Sequence, residues 1–387
     1  MSDVPLKRIA VTFERKDTIE FLLDDDPTLE WLRTFDSGGH QRIFVFVDAN
    51  VRRIWGERLE AALGSHAATV FWHEVEPAES SKSVSYYPTA LEFLEGHGAG
   101  RFDLVMAIGG GIVIDLVSFL VSTYMRGLPF YAVPTTLVGQ MDATTAGKTC
   151  LNTATAKNVL GTFYYPRVVY DNTRFLETNT PYYLRQGYSE VFKYGLLRSP
   201  ELVELLERHH PSPTQASFGE LVRLSIEMRV SIAKDDPLAS NLGHTFGHAI
   251  EKLSDFEILH GDAISAGTVM ALRYAIRKGL MDEGTMRTIV GKMRALDLNV
   301  FFDRSFRAHD LVRLMLRDKK SSSDTLHLVL IRGIGVPYHE NDSFFFRADP
   351  RDVEAFLEEY LTESEFGIDA CASALRRDQL YPAVTAA

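Results

Sequence analysis

FDLVMAIGGGIVIDLVSF (102–119) is the stretch that decides the fold. An apolar, β-branched run enters Gly109, Gly110 and Gly111 and leaves as an apolar segment at helical spacing, the pattern of a buried strand turning tightly into a helix. Glycines there let the backbone approach a ligand closely, and the helix N-terminus behind them favours a pyrophosphate. The spacing is not GxGxxG, so taken alone a plain strand-to-helix turn explains the stretch equally well. Outward from it the texture repeats. IAVTF (9–13), RIFVFVD (42–48), ATVFWHEV (68–75) and LPFYAVPTT (128–136) read as strands, with helical spacing over 53–63 and 84–96. This alternation predicts an α/β, Rossmann-like domain built on a doubly wound parallel sheet. Asp48 and Asn50, directly after the second of these strands, put a carboxylate where a dinucleotide ribose would sit.

Past Asn179-Thr180-Pro181 the period becomes helical to about residue 318, with breaks at Pro200, Pro211–Pro213, Pro237 and Gly279. LHLVLIRGIG (326–335) reads as a late strand pair. The expected organisation is an α/β nucleotide-binding domain over 1–180, a mostly α-helical domain over 181–361, and a polar tail over 362–387 that the chemistry does not need. A chain of 387 residues with 45% hydrophobic content supports two cores of that size.

Charge narrows the partners. Forty-one Lys and Arg against 52 Asp and Glu give −11, which argues against binding nucleic acid or an anionic membrane surface. A phosphate must therefore be held by local cations, which points to small phosphorylated ligands. No apolar run approaches the roughly 20 residues of a membrane span. The start, MSDVPLKRIAVTFERKD, lacks an export signal, and two cysteines (Cys150 and Cys371) make no disulfide framework. A cytoplasmic setting is expected.

GQMDATTAGKT (139–149) imitates a phosphate loop, but the motif needs glycine at position 142, where Asp142 would repel a phosphate. Nucleoside-triphosphate hydrolysis is disfavoured. Lys148, Asn152, Lys157 and Asn158 could instead clamp a phosphate, or form an ordinary solvated loop. In GYSEVFKYG (187–195), Glu190 and Lys193 share a helix face among apolar neighbours, which suggests a buried pair. NLGHTFGHAIE (241–251) followed by LHGDA (259–263) is the sharpest signal. His244 and His248 stand one turn apart, but Thr245 replaces the glutamate base that a zinc protease needs. His244, His260 and Glu190 make a His₂Glu set with an open fourth position, the pattern of a catalytic zinc. The competing reading is a set of hydrogen-bonded core histidines.

Together, D-A-N (48–50), E-S-S-K-S (79–83), the glycine turn with Asp115, Y-M-R-G (124–127), P-T-T-L (134–137), Asp142 with Lys148-Thr149 and Asn152, K-N (157–158), the 187–195 and 241–251 segments and D-K-K (318–320) resemble the 3-dehydroquinate synthase superfamily of sugar phosphate cyclases. The resemblance runs from about residue 40 to about 335. It implies a metal (Zn²⁺ or Co²⁺) on Glu190, His244 and His260. It implies NAD held by Asp48, Asn50, Glu79, Lys82, Gly110, Gly111, Asp115, Thr135, Thr136, Asp142, Lys148, Lys157, Phe175 and Thr178. Lys148, Asn158, Asn241, His248 and Lys319 would hold the substrate's phosphate or hydroxyls, Asp142 and Lys193 would flank the oxidised carbon, and Arg126 would reach in across a homodimer. The implied reaction is transient oxidation, phosphate elimination, re-reduction and aldol closure to a carbocyclic ketone, as in cyclitol biosynthesis.

Departures from the family pattern bear on the substrate. Dehydroquinate synthases hold the substrate carboxylate with a lysine and an arginine. Here Arg229 stands at the lysine position, and DDPLASN (235–241) contains no arginine. Ile114 and Asp262 replace a glycine and a glutamate. The expectation is a sugar phosphate lacking the carboxylate, such as sedoheptulose 7-phosphate or glucose 6-phosphate. The alternative is 3-dehydroquinate synthase itself, with Arg229 or Lys234 replacing the clamp. An NAD-dependent polyol dehydrogenase would build up NADH and leaves the phosphate-binding lysines unexplained. A non-catalytic binding protein should have lost one of Glu190, His244, His260, Lys148, Lys193 or Lys319, and all are present.

Overall fold

The computed structural model describes residues 17–362 apart from 37–38, 146, 155–156, 211–213, 236–238, 301–305, 318–324 and 342. The strand expected at 9–13, Lys319, and the tail from residue 363 lie outside the described residues.

Six strands, β1 (Glu20–Asp24), β2 (Arg42–Asp48), β3 (Thr69–Val75), β4 (Leu104–Gly109), β5 (Phe130–Pro134) and β6 (Val168–Asn172), form one parallel sheet in the order β1-β6-β5-β4-β2-β3. β4 is buried along its whole length and β2 almost so, as an all-apolar run covered on both faces requires. Helices α1 (Glu30–Thr34), α2 (Ala49–Leu63), α3 (Tyr87–Gly96) and α4 (Gly111–Thr123) connect these strands. They leave one apolar core on each side of the sheet, around Phe44, Phe46 and Val117 on one face and Ile43, Val45 and Trp55 on the other.

The chain then becomes helical: α5 (Pro181–Arg198), α6 (Pro200–His209), α7 (Gln215–Asp235), α8 (His244–Leu253), α9 (His260–Arg277), α10 (Glu283–Ala295) and α11 (Ala308–Met315). Pro181 and Pro200 each open a helix, behind Thr180 and Ser199, whose side chains accept from Tyr183 N and Leu202 N. Strands β7 (Leu326–Val329), β8 (Ile331–Gly333), β9 (Val336–Pro337) and β10 (Phe345–Ala348) pair as β7 with β10 and β8 with β9, ahead of α12 (Pro350–Thr362). These elements share a third core around Phe192, Tyr194, Phe246 and Tyr274. No helix among the described residues is long and apolar enough to cross a membrane.

The strand order places the site. β2 lies between β3 and β4, so the connections leaving β2 and β4 diverge there, and ligands settle beyond the carboxyl ends of strands at such a point. The residues at those two ends are Asp48 and Gly109.

Candidate functional site

The dinucleotide-side residues gather around that crevice. Asp48 caps α2, its Oδ1 accepting from Asn50 N at 2.8 Å and Val51 N at 3.3 Å. The three glycines divide the work. A Cβ on Gly109 would strike Val113 at 2.9 Å and Asp48 at 3.0 Å, and one on Gly110 would press on Thr136 at 3.1 Å. Gly111 faces nothing nearer than Ala143 at 4.0 Å, which leaves backbone open beside the α4 N-terminus. No side chain caps that end, so its first N–H groups suit a phosphate.

Lys82 pairs with Asp115, both nearly buried. The two-stranded excursion that carries Lys148 and Asn152 (Lys148 bridges Phe163, Leu151 bridges Leu160) is tied to this pair through Asn152 N, which donates to Lys82 O at 2.9 Å. Asn152 Nδ2 donates to Glu79 Oε2 at 2.7 Å, and Lys157 Nζ lies 3.2 Å from Glu79 Oε1. Asn158 N donates to Asn152 Oδ1 at 3.0 Å. Thr135 and Thr136 follow β5, and Asn179 Nδ2 donates to Thr135 O. Thr178 accepts from Trp55 Nε1 at 3.4 Å. Phe175 is wholly buried against Trp55, so its side chain offers no open surface.

The second cluster stands on α5, α8 and α9. Lys193 donates to Glu190 Oε2 inside α5, and both side chains are buried. Glu190 Oε1 is buried and accepts no hydrogen bond, although His260 Nε2 lies 3.4 Å and His244 Nε2 3.6 Å from it. His244 Nδ1 donates to Leu242 O at 3.1 Å, which leaves the Nε2 lone pair facing Glu190. The three candidate ligand atoms lie within 4.8 Å of one another. A carboxylate oxygen and two ring nitrogens converging on one point suit a cation, either the proton that His260 carries or a divalent metal that displaces it, so the donor set fits a divalent metal.

The electrostatics agree. Burial would raise the Glu190 carboxyl, but Lys193 and His260 outweigh it and hold it at about 2. Burial, reinforced by Lys193, keeps the His244 ring well below the usual histidine range and therefore neutral. Burial would lower His260 too, yet Glu251 and Glu190 hold it up at about 10, so the space between these carboxylates demands positive charge.

Asp142 sits in a π-helical turn over Gly139–Ala143, a form favoured at functional positions. Its Oδ1 accepts from Tyr194 Oη at 2.5 Å and from Arg229 Nε at 2.7 Å. Burial would raise this carboxyl, but Arg229 and Lys193 hold it below the usual range. Burial lowers the Lys148 ammonium, and Arg229 and Lys193 add to the effect, so three cations crowd around Asp142. Asn241 is buried with Nδ2 unpartnered. His248 is exposed, its ring 5.3 Å from that of His244.

Arg126 is placed elsewhere: it is exposed, in a turn where Met125 (φ 49°) and Arg126 (φ 66°) are both left-handed. Lys234 is exposed on α7 and makes no part of the cluster. Two participants escaped the sequence reading. Tyr194 looked like core packing, and Glu251 was only the last letter of a helical segment. The spacing of His248 and Glu251 (i, i+3) puts them on one face but does not point to His260 or Lys157, the partners of Glu251, which lie on other segments.

Comparison with known proteins adds the following. Residues 72–186 match the 3-dehydroquinate synthase N-terminal family and 187–321 the 3-dehydroquinate synthase C-terminal family. A 3-dehydroquinate synthase of Streptococcus gordonii is 34% identical over 304 residues, which is 76% of this chain and 85% of that one. A 2-epi-5-epi-valiolone synthase from Streptomyces hygroscopicus subsp. jinggangensis 5008, solved with NAD⁺ and Zn²⁺, superposes with a TM-score of 0.79 at 24% identity, covering 91% of this chain and 99% of its own. A 2-deoxy-scyllo-inosose synthase complexed with carbaglucose-6-phosphate, NAD⁺ and Co²⁺ gives 0.78 at 22% identity, covering 88% and 96%.

Proposed function

The chain belongs to the 3-dehydroquinate synthase family, and from that premise we propose that it is an NAD- and metal-dependent lyase that cyclises a sugar phosphate lacking a carboxylate headgroup. The observation that carries the reading is the convergence of Glu190, His244 and His260 beside buried Lys193. When bound, NAD accepts and returns a hydride and the metal ion acts as a Lewis acid, and both are regenerated. Lys193, fixed on Glu190, holds positive charge where the substrate hydroxyl sheds its proton. Asp142, steadied by Tyr194 and Arg229, receives a neighbouring hydroxyl. Lys148, Asn158, Asn241, His248 and Lys319 are assigned to the phosphate and ring hydroxyls. The new ketone acidifies the adjacent C–H, a phosphate oxygen takes that proton, and the C–O bond to phosphate breaks. Ring opening and an intramolecular aldol addition would then close the carbocycle.

The headgroup assignment rests on Arg229. Its Nε is spent on Asp142, and the other cations near it, Lys148 and Lys193, are the ones assigned to the phosphate and to the reacting hydroxyl. Without a clamp a buried carboxylate would cost about 2–5 kcal/mol. One observation favours the second reading, 3-dehydroquinate synthase: Arg229 Nη1 is buried and unpartnered, and could still receive a carboxylate oxygen.

The deciding experiment is inorganic phosphate release with NAD and Zn²⁺ or Co²⁺ from 3-deoxy-arabino-heptulosonate 7-phosphate, sedoheptulose 7-phosphate and glucose 6-phosphate, with absorbance at 340 nm followed in parallel. Release from a neutral-headed sugar without NADH build-up is expected. Release from the carboxylated sugar alone would establish the second reading, and steady NADH accumulation would make the protein a dehydrogenase.

A further inference from the structure

We propose that Glu251 is a positioning residue for the metal centre: it sets the ring of His260 and is itself held by Lys157, which comes from the dinucleotide-side half of the chain. This rests on the reading of Glu190, His244 and His260 as metal ligands. The Glu251 side chain is 7% exposed and uses its two oxygens differently. Oε2 lies 3.3 Å from His260 Nδ1, and Oε1 lies 3.8 Å from Lys157 Nζ. Lys157 is fixed in turn by Glu79 Oε1 at 3.2 Å and by the Phe256 ring, whose centre is 4.0 Å from Nζ.

An imidazole that donates Nδ1–H to a carboxylate presents Nε2 as its ligand atom and gains basicity there. Nε2 is the His260 atom that faces Glu190. His244 donates its own Nδ1–H to the neutral Leu242 carbonyl instead. The two histidines are therefore unequal, and only at His260 does a charged side chain set the donor strength. His248, Glu251 and His260 also have ligand atoms within 4.8 Å of one another, the spacing of a second ion site. Binding there would use His260 Nδ1, and with Nε2 already on the first ion the ring would have to lose both protons. The hydrogen-bond reading avoids that cost.

The test is titration of metal-free protein with Co²⁺ alone, reading the d–d absorption band and the affinity by dye competition. Wild type should bind one Co²⁺ per chain, and His260→Ala should not. Glu251→Ala should weaken binding 10- to 100-fold and shift the band. Glu251→Gln, which keeps an acceptor but not the charge, should fall between them and stands in if the alanine variant fails to fold. Lys157→Met should weaken binding a few-fold, an effect that packing alone would not give to a side chain outside the ligand set. Glu251→Gln within twofold of wild type and with an unchanged band, or two Co²⁺ per chain, overturns the proposal. No Co²⁺ binding by wild type, or undiminished binding by His260→Ala, would instead overturn the metal site on which it rests.

Discussion

At the scale of residues, the site is a matter of which atoms are left with nothing to bond. Glu190 Oε1 is such an atom, and two histidine nitrogens face it. His260→Ala should abolish both metal binding and turnover; a metal-replete, active variant, seen by elemental analysis and phosphate release, would refute the ligand set. Lys148→Ala should slow phosphate release by about 100-fold or more, the order lost with a charge-assisted contact that strengthens in the transition state. Asp171, on β6, is a different case. It is fully buried with neither oxygen partnered, and burial raises its carboxyl well above the ordinary 3.8. Below that value the unfolded chain is protonated as well, and Asp171 costs nothing extra. Above it the unfolded chain releases a proton that the folded chain keeps, so stability falls as pH rises. Asp171→Asn should therefore be more stable than wild type at pH 7, with the gap closing towards pH 4 in thermal melts. The Glu190–Lys193 pair and the clustering of His244 and His260 beside it were legible because charged or coordinating residues stood inside apolar periodic segments. Glu251 and Tyr194 were not, because their roles come from contacts across helices that spacing on one helix does not encode.

At the scale of elements, the strands that carry unbroken apolar and β-branched runs were the readable ones. RIFVFVD became β2 over its full length, and the glycine turn after 102–108 became the junction of β4 and α4. β1 and β6 were missed because EFLLD and VVYDN are five residues long and carry acids or an amide; β6 is buried between β1 and β5, and β1 is a partly exposed edge strand, so both are specified by pairing more than by pattern. The crossing of α8 and α9 sets the distance between His244 and His260. A Cβ on Gly267 would lie 2.3 Å from Gly243 O and 2.7 Å from Gly247 N, so the two helices touch through backbone. Gly267→Ala should force them apart at a cost of about 1–3 kcal/mol. It should also weaken Co²⁺ binding more than a remote substitution of equal destabilisation; equal metal affinity in the two variants would count against helix spacing as the cause.

At the scale of the whole molecule, the residues proposed to hold the metal come from α5, α8 and α9, and those proposed to hold the dinucleotide come mostly from the sheet, its connections and the 148–163 excursion. Each ligand should stabilise the folded chain, by about 2.7 kcal/mol at a hundred times its dissociation constant, and raise the melting temperature by a few degrees. A dimer would give the Arg126 turn its purpose. Exposed Met125 and Phe163 lie on segments joined by Thr162 Oγ1 donating to Ser122 Oγ and Tyr164 Oη donating to Leu128 O. Sedimentation at micromolar concentration should show two chains, and Phe163→Glu should shift the mass to one. Arg229 of α7 and Asp142 of the π-helical turn join the two halves through an ion pair whose guanidinium is buried and whose carboxylate is part-exposed. Removing one member of a fully buried pair costs about 3–5 kcal/mol and less where one partner is part-exposed as here, so on the reading that Arg229 governs the headgroup, a change of specificity at this position would have to alter both residues together.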